Sequence, residues 1–350
     1  VAADPAKAAK PTIADYSGGL DKQLDGMITA NRTTRATLDK EKATGAKSDD
    51  TAKQLDGDRQ HLLDQLNQRS GVYGDQIAAE QAKLGKVGKT PTADQKTEMA
   101  KIAELQKEQG KYSDQQTALQ RWHDRGQINS INDQLKNPNL DPKVRSQLLA
   151  QKKQLATGLL STVKHYEQFD PQWGSTTYGK DRSYTSMTAA GCGPTGLADL
   201  MDFADQEDPE GKHAAGDHDP YTPRKMADYA TYHGRVKGSG TDGTTMMNDL
   251  SGSFPSFSGH DVSDSADAAT QLHNGIPVLF LGHDITGQGG NGKKIKPYDG
   301  HYMVLSGAND DGTNFQVTDG GRNDSRNMHS ITSSQLAGHT DGYWTVNHTP

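Results

Sequence analysis

Gly191-Cys192-Gly193-Pro194-Thr195 leads into a run where Leu197, Leu200, Met201 and Ala204 recur at helical spacing, so the chain's one cysteine stands where a helix opens. Pro194 fits an opening position, because the first helical turn leaves its amides unpaired and proline has none to lose. A thiol placed there feels the positive end of the helix dipole, which stabilises thiolate over thiol and lowers the pKa. Free cysteines are otherwise among the most buried side chains. The flanking glycines leave little side-chain shell around this sulfur, and that favours a reactive thiol over a buried hydrophobe. A single cysteine forms no intramolecular disulfide, so the usual compositional sign of an oxidising compartment is missing.

A cysteine nucleophile needs a base, normally a histidine held in one tautomer by a third group. Among thirteen histidines, His301 stands out because it opens the strand-like run His301-Tyr302-Met303-Val304-Leu305. The next such run ends at Asp319, after a turn rich in Asn309, Asp310, Asp311 and Gly312. A hairpin with an odd-numbered loop centred on Asp310 sets His301 directly across from Asp319 on one face of the sheet. An even loop turns Asp319 to the other face.

Outward from these residues the pattern is mixed. Residues 278–281 after Asn274-Gly275, then 302–305, 315–317 and 343–346, are short runs bounded by Gly, Asn and Asp, and read as strands of a mostly antiparallel sheet. The helix after Cys192 and a second one around 223–233 make this half α+β, with an early helix and a later sheet.

The first half has a different period. Residues 1–14 are rich in Ala, Lys and Pro and read as a flexible lead-in. From about 16 to 86, Leu62, Leu66, Tyr73, Ile77 and Leu84 form one helical stripe, and after a break containing Gly88 and Pro91 a second stripe follows through Met99, Ile102, Leu105, Tyr112, Leu119 and Trp122. Two antiparallel helices, a hairpin or coiled-coil-like bundle, are the simplest reading. A further helix opens at Asp141, an N-cap followed by Pro142, and runs through Leu148, Leu149, Leu155 and Leu160. The expected organisation is thus a lead-in over 1–14, an all-α region over 15–163 without chemistry of its own, and a catalytic α+β domain over 164–350.

Composition divides the chain at the same place. All six Phe, two of three Trp, eleven of thirteen His and 26 of 38 Gly lie beyond residue 160. Residues 1–160 carry 25 Lys and Arg against 21 Asp and Glu, whereas residues 161–350 carry 13 against 24. An acidic second half argues against a nucleic-acid partner. No stretch approaches the roughly 18 apolar residues of a membrane span, and numbering from Val1 leaves room for a leader removed by processing.

Taken together, Tyr166-Glu167-Gln168-Phe169-Asp170-Pro171-Gln172-Trp173, Tyr178-Gly179, Ala190-Gly191-Cys192-Gly193-Pro194-Thr195, Gly300-His301-Tyr302-Met303-Val304 and Val317-Thr318-Asp319 resemble the bacteriocin-processing-peptidase-like (double-glycine leader peptidase-like) family of papain-fold cysteine peptidases. Gly240-Thr241 and Gly275-Ile276-Pro277-Val278 stand where that family has comparable segments. The resemblance covers about 165–346. It implies a papain-like fold, with a helix carrying Cys192 as nucleophile and a sheet carrying His301 as general base and acid and Asp319 as the group orienting it. It further implies Gln168 as an oxyanion donor, with Gln172 as the fallback, and amide-bond hydrolysis through an acyl-enzyme with no metal or other cofactor.

A peptide or protein substrate follows, and the helical half is expected to dock the enzyme to a partner, a substrate or a second copy of itself. The same residues would serve a peptidoglycan or isopeptide amidase. A catalytically silent interaction protein built on the helices is the remaining alternative. A bacterial enzyme that is secreted, or delivered as an effector, fits better than a housekeeping cytosolic one. The long Gly-rich stretch 282–299 before His301 reads either as a substrate lid or as an ordinary loop. His213, Asp217, His218 and Asp219, and separately Asp310, Asp311, Asn323 and Asp324, match no zinc or calcium pattern and read as exposed polar loops.

Overall fold

A computed structural model describes residues 12, 21–46, 49–88, 90–179, 186–208, 220–237, 240–285, 288–289, 300–321 and 328–348. The lead-in apart from Thr12, the His213–Asp219 cluster, Asn323 and Asp324, and most of the stretch 286–299 lie outside these residues. The chain forms two compact units, one comprising Val1–Gln120 with Pro209–Asp217 and the other Arg121–Asp208 with His218–Pro350.

The first unit is built from helices α1 (Asp21–Thr44) and α2 (Asp49–Leu84) and the opening part of α3 (Ala93–Leu135). Leu24, Leu62, Leu63, Leu66 and Leu119 make its core, with Met27, Ile28 and Tyr112 packed on it. The helical pattern that runs from 16 to 86 is two helices and not one, since Gly45 adopts a left-handed conformation (φ +69°) that ends α1. Met99 leaves its stripe and is exposed.

The second unit begins at Arg121 rather than at the change of hydrophobic period near 163. Helix α4 (Pro142–Leu160) starts as its sequence dictates, with the Asp141 carboxylate accepting from the amides of Lys143 and Val144. Ile128 of α3 and Ala156 and Leu159 of α4 form a buried cluster with Phe203, and the Arg121 guanidinium lies 4.5 Å over the Phe203 ring. Arg125 grips Glu207 with two nitrogens, at 3.0 and 2.5 Å, and also donates to the carbonyls of Asn274 and Gly275. Periodicity marks where helix gives way to strand, but packing decides the unit, and these two helical segments bury their apolar faces here.

Then follow α5 (Met187–Ala190), α6 (Cys192–Asp205), α7 (Pro223–Ala230), α8 (Gly243–Asn248), α9 (Leu250–Ser253), β1 (Phe257–Val262), α10 (Ser265–His273), β2 (Val278–Gly282), β3 (Gln288–Gly289), β4 (His301–Ala308), β5 (Asn314–Thr318), β6 (Met328–Thr332), α11 (Ser333–Leu336) and β7 (Thr340–His348). The described strands form one sheet in the order β1-β7-β2-β4-β5-β6-β3, with every neighbouring pair antiparallel. Side chains alternate across it. Leu279, Tyr302, Val304 and Trp344 meet Leu197, Leu200 and Met201 of α6 on one face. Val278, Phe280, Met303, Leu305 and Phe315 meet Ala268, Ala269 and Leu272 of α10 on the other. Gly196 lets α6 press onto β2, because a Cβ there would overlap the Leu279 side chain. This α+β arrangement aims the N-terminus of α6 at the start of β4.

Candidate active site

Cys192 is the first residue of α6 and is partly exposed. Gly191, before it, closes the turn of α5 through its amide on the Met187 carbonyl (2.7 Å) and opens α6 by accepting from the amide of Thr195 (2.9 Å). A Cβ at Gly191 would lie 2.5 Å from the Met187 carbonyl oxygen, and one at Gly193 would lie 2.6 Å from Thr241 Oγ1. Both glycines are therefore needed for the close packing that holds the thiol in place. Thr241 is fixed from two sides, by the Tyr178 hydroxyl on its Oγ1 (2.5 Å) and by the Tyr302 hydroxyl donating to its carbonyl (2.7 Å). Four short motifs far apart in sequence thus meet beside Cys192.

His301 is the first residue of β4 and is buried. Its Nε2 lies 2.8 Å from Asp319 Oδ1. Cys192 is the second group that raises the charge on the ring. Asp319 is also buried; its Oδ1 accepts from the Gly321 amide and its Oδ2 from the Met328 amide, each at 2.9 Å. A carboxylate so fully engaged cannot rotate away from the imidazole.

The route by which Asp319 reaches His301 combines both hairpin alternatives. Asn309 hydrogen-bonds Asn314 across a four-residue loop, an even loop that by itself would face Asp319 away. Between Leu305, which pairs with Val317, and Gly307, which pairs with Gln316, Ser306 is an extra residue. This β-bulge shifts the register by one and returns Asp319 to the side of His301.

Charge on the pair follows from these contacts. Burial pushes the Cys192 thiol up, but hydrogen bonding and attraction to His301, together with hydrogen bonds from the amides of Tyr302 and Gly193, outweigh it and leave the thiol pKa below its ordinary value. Burial pulls His301 down, yet Asp319 and Cys192 prevail and push it up to about 9. Both shifts run toward a thiolate beside an imidazolium.

Gln168 is buried and tied to the site by its backbone, its amide donating to the Gly320 carbonyl (2.9 Å). Its Nε2 donates to the Thr188 carbonyl (3.0 Å), and its Oε1 has no hydrogen-bond partner among the described residues. The segment around it is rigid: the Tyr166 amide donates to Asp199 Oδ1 (3.0 Å), and the Trp173 indole donates to the Glu167 carbonyl (2.7 Å). Gln172, by contrast, is exposed in a turn and bonds through its amide to Asp170.

Residues 160–348 match the model of the Peptidase_C39 like family. The chain belongs to this family of cysteine peptidases. Its C39-like region takes in α6, the whole described sheet and the Gln168 segment. Searches of curated proteins and of solved structures returned no match. Among the described residues no group of three or more His, Cys, Asp or Glu side chains could hold a metal ion, and no helix is long and apolar enough to cross a membrane. Asp310 and Asp311 are taken up otherwise, by Lys153 (2.7 Å) and by Thr313.

Sequence reasoning missed the residues that support the site rather than form it. His165 donates from Nε2 to the Asp319 carbonyl (2.9 Å), and Gly321 and Met328 hold the Asp319 carboxylate. Backbone amides leave no trace in composition or motif, so only the fold reveals them.

Proposed function

We propose that this C39-like chain is a papain-type cysteine peptidase of the bacteriocin-processing-like kind, hydrolysing an amide in a peptide or protein through a Cys192–His301–Asp319 triad. The Cys192 thiolate attacks the carbonyl carbon while His301 is protonated. The tetrahedral oxyanion is held by the backbone amide of Cys192 and the side-chain amide of Gln168. Its collapse breaks the C–N bond as His301 gives its proton to the leaving amine, which leaves an acyl-thioester on Cys192. A water that loses a proton to His301 then attacks the thioester and releases the acid, restoring the thiolate and the imidazolium. Asp319 keeps the ring in the tautomer and orientation that this relay requires.

The observation that carries this reading is the imidazole of His301 bonded to a buried carboxylate and electrostatically coupled to the thiol at a helix N-terminus. The first unit, long helices with polar outer faces, is proposed to dock the enzyme to a partner or substrate. Alkylation by iodoacetamide across pH 4 to 9 tests the pair. Labelling of Cys192 well below the free-thiol pKa of about 8.5, lost or shifted upward in His301→Ala, is expected. Slow labelling indifferent to His301→Ala overturns the proposal. Cys192→Ala is expected to abolish turnover with the fold unchanged.

A further inference from the structure

A cavity of about 820 Å³ lies apart from Cys192, bounded by α4, α10 and neighbouring parts of β4 and β5. That volume falls among small-molecule sites, which span roughly 300–1,000 Å³. Its apolar wall includes Leu149, Leu160, Val163 and Leu272. Leu149, in this wall, is 50% exposed.

Two lysines of α4 reach the cavity, and they differ. Lys153 is paired with Asp310 at 2.7 Å. Lys152 is half-buried in the wall, and no carboxylate among the described residues pairs with it. Burial with no compensating charge pulls its pKa below the ordinary lysine value. Across the cavity Thr318 Oγ1 donates to Ser306 Oγ (3.2 Å), so these two hydroxyls are engaged with each other and not with the lysine. An uncompensated ammonium set over an apolar hollow is complementary to one negative group on an apolar body.

We propose that this cavity binds a small amphiphilic carboxylate, its alkyl chain against Leu149, Leu160, Val163 and Leu272 and its carboxylate on the Lys152 ammonium. Lys152, without a carboxylate partner among the described residues, matches a monoanion, and the volume suits an alkyl chain rather than a folded partner. The ligand would touch the triad's support without touching the triad. Thr318 directly precedes Asp319, and Val163 stands two residues before His165, whose ring holds the Asp319 carbonyl.

Titration calorimetry of the full chain with decanoate and with decanol, its uncharged counterpart, tests this. Decanoate is expected to bind once per chain and about tenfold or more tighter than decanol, the difference that a charge-assisted hydrogen bond makes. Lys152→Met should bring decanoate down to the affinity of decanol. Thr157→Trp, at an exposed position in the cavity wall, should fill the space and weaken both ligands, with unchanged circular dichroism showing that either variant folds. No binding by decanoate, equal affinities for the two ligands, or several decanoates bound with no effect of Thr157→Trp would each overturn the proposal.

Discussion

The imidazole of His301 occupies the space a side chain on Gly321 would need: a Cβ there would overlap ring atoms Cε1 and Nε2 and stand 3.1 Å from Asp319 Oδ1. The same residue donates its amide to that oxygen. Gly321→Ala is therefore expected to push the ring off Asp319 while the sheet and its core persist. The kcat should fall by about 100-fold or more, the scale on which a misplaced catalytic group costs rate, with only a small loss of thermal stability. Wild-type kcat in a well-folded Gly321→Ala protein would show that the His301–Asp319 contact does not matter to turnover.

The pH dependence has a definite sign. His301 is pushed from its ordinary 6.5 up to about 9, so the folded state binds this proton more tightly than the unfolded one. Its contribution to stability is complete below about pH 6.5 and is lost as pH rises through about 9. Activity that needs the imidazolium should show its alkaline limb in the same range. Asp319→Asn removes the leading group that raises His301, so it should move that limb to lower pH and slow alkylation of Cys192 at neutral pH. A pH–rate profile with the limb unmoved would separate Asp319 from the titration of His301.

Gln168 is committed to the Thr188 carbonyl through one N–H, which fixes its orientation before substrate arrives. For Gln168→Ala we expect kcat to fall by about 100-fold with KM little changed, as for loss of an oxyanion donor. A rise in KM with kcat intact would reassign Gln168 to substrate binding.

Arg125 holds Glu207, just beyond α6, and the carbonyls before β2. Replacing it with alanine leaves Glu207 with Arg121 at 3.6 Å and should cost about 1.5 kcal/mol of stability, the scale of a lost charge-assisted hydrogen bond at a part-buried site, measured by urea unfolding. A fragment starting at residue 121 is expected to fold, and one starting at 161, which keeps the residues matched by the family model, is not. A stable, cooperatively unfolding 161–350 fragment would show that α4 and the end of α3 are dispensable to the unit.

Much of this was legible in residues. Cys192 at a helix start, His301 at a strand start, and the capped helix at Asp141 all follow from local rules that depend on a few neighbours. Strand β1 was not legible, because Ser258, Gly259, His260 and Asp261 are polar or small and lie at a half-exposed edge where alternation is weak. Strand β6 was hidden similarly, with only Met328 and Ile331 buried. The Ser306 bulge could not be counted in advance, since loop parity and bulge shift the register in the same way and sequence spacing gives only their combined effect. That α4 and the end of α3 pack with the second unit was not legible, because Arg121 and Arg125 read as solvated charges, and their partners, Glu207 and the Asn274 and Gly275 carbonyls, lie some 80 to 150 residues further along.

Strand β7 follows all the other strands in sequence yet lies between β1 and β2 in the sheet. During synthesis β1 therefore waits, unpaired on that side, until some 80 later residues have emerged, and β2 has only β4 to rest against. The framework that brings His301 to Cys192 is thus completed late. A polypeptide interrupted before residue 340 would carry every proposed catalytic side chain and still lack the strand that joins β1 to the rest of the sheet.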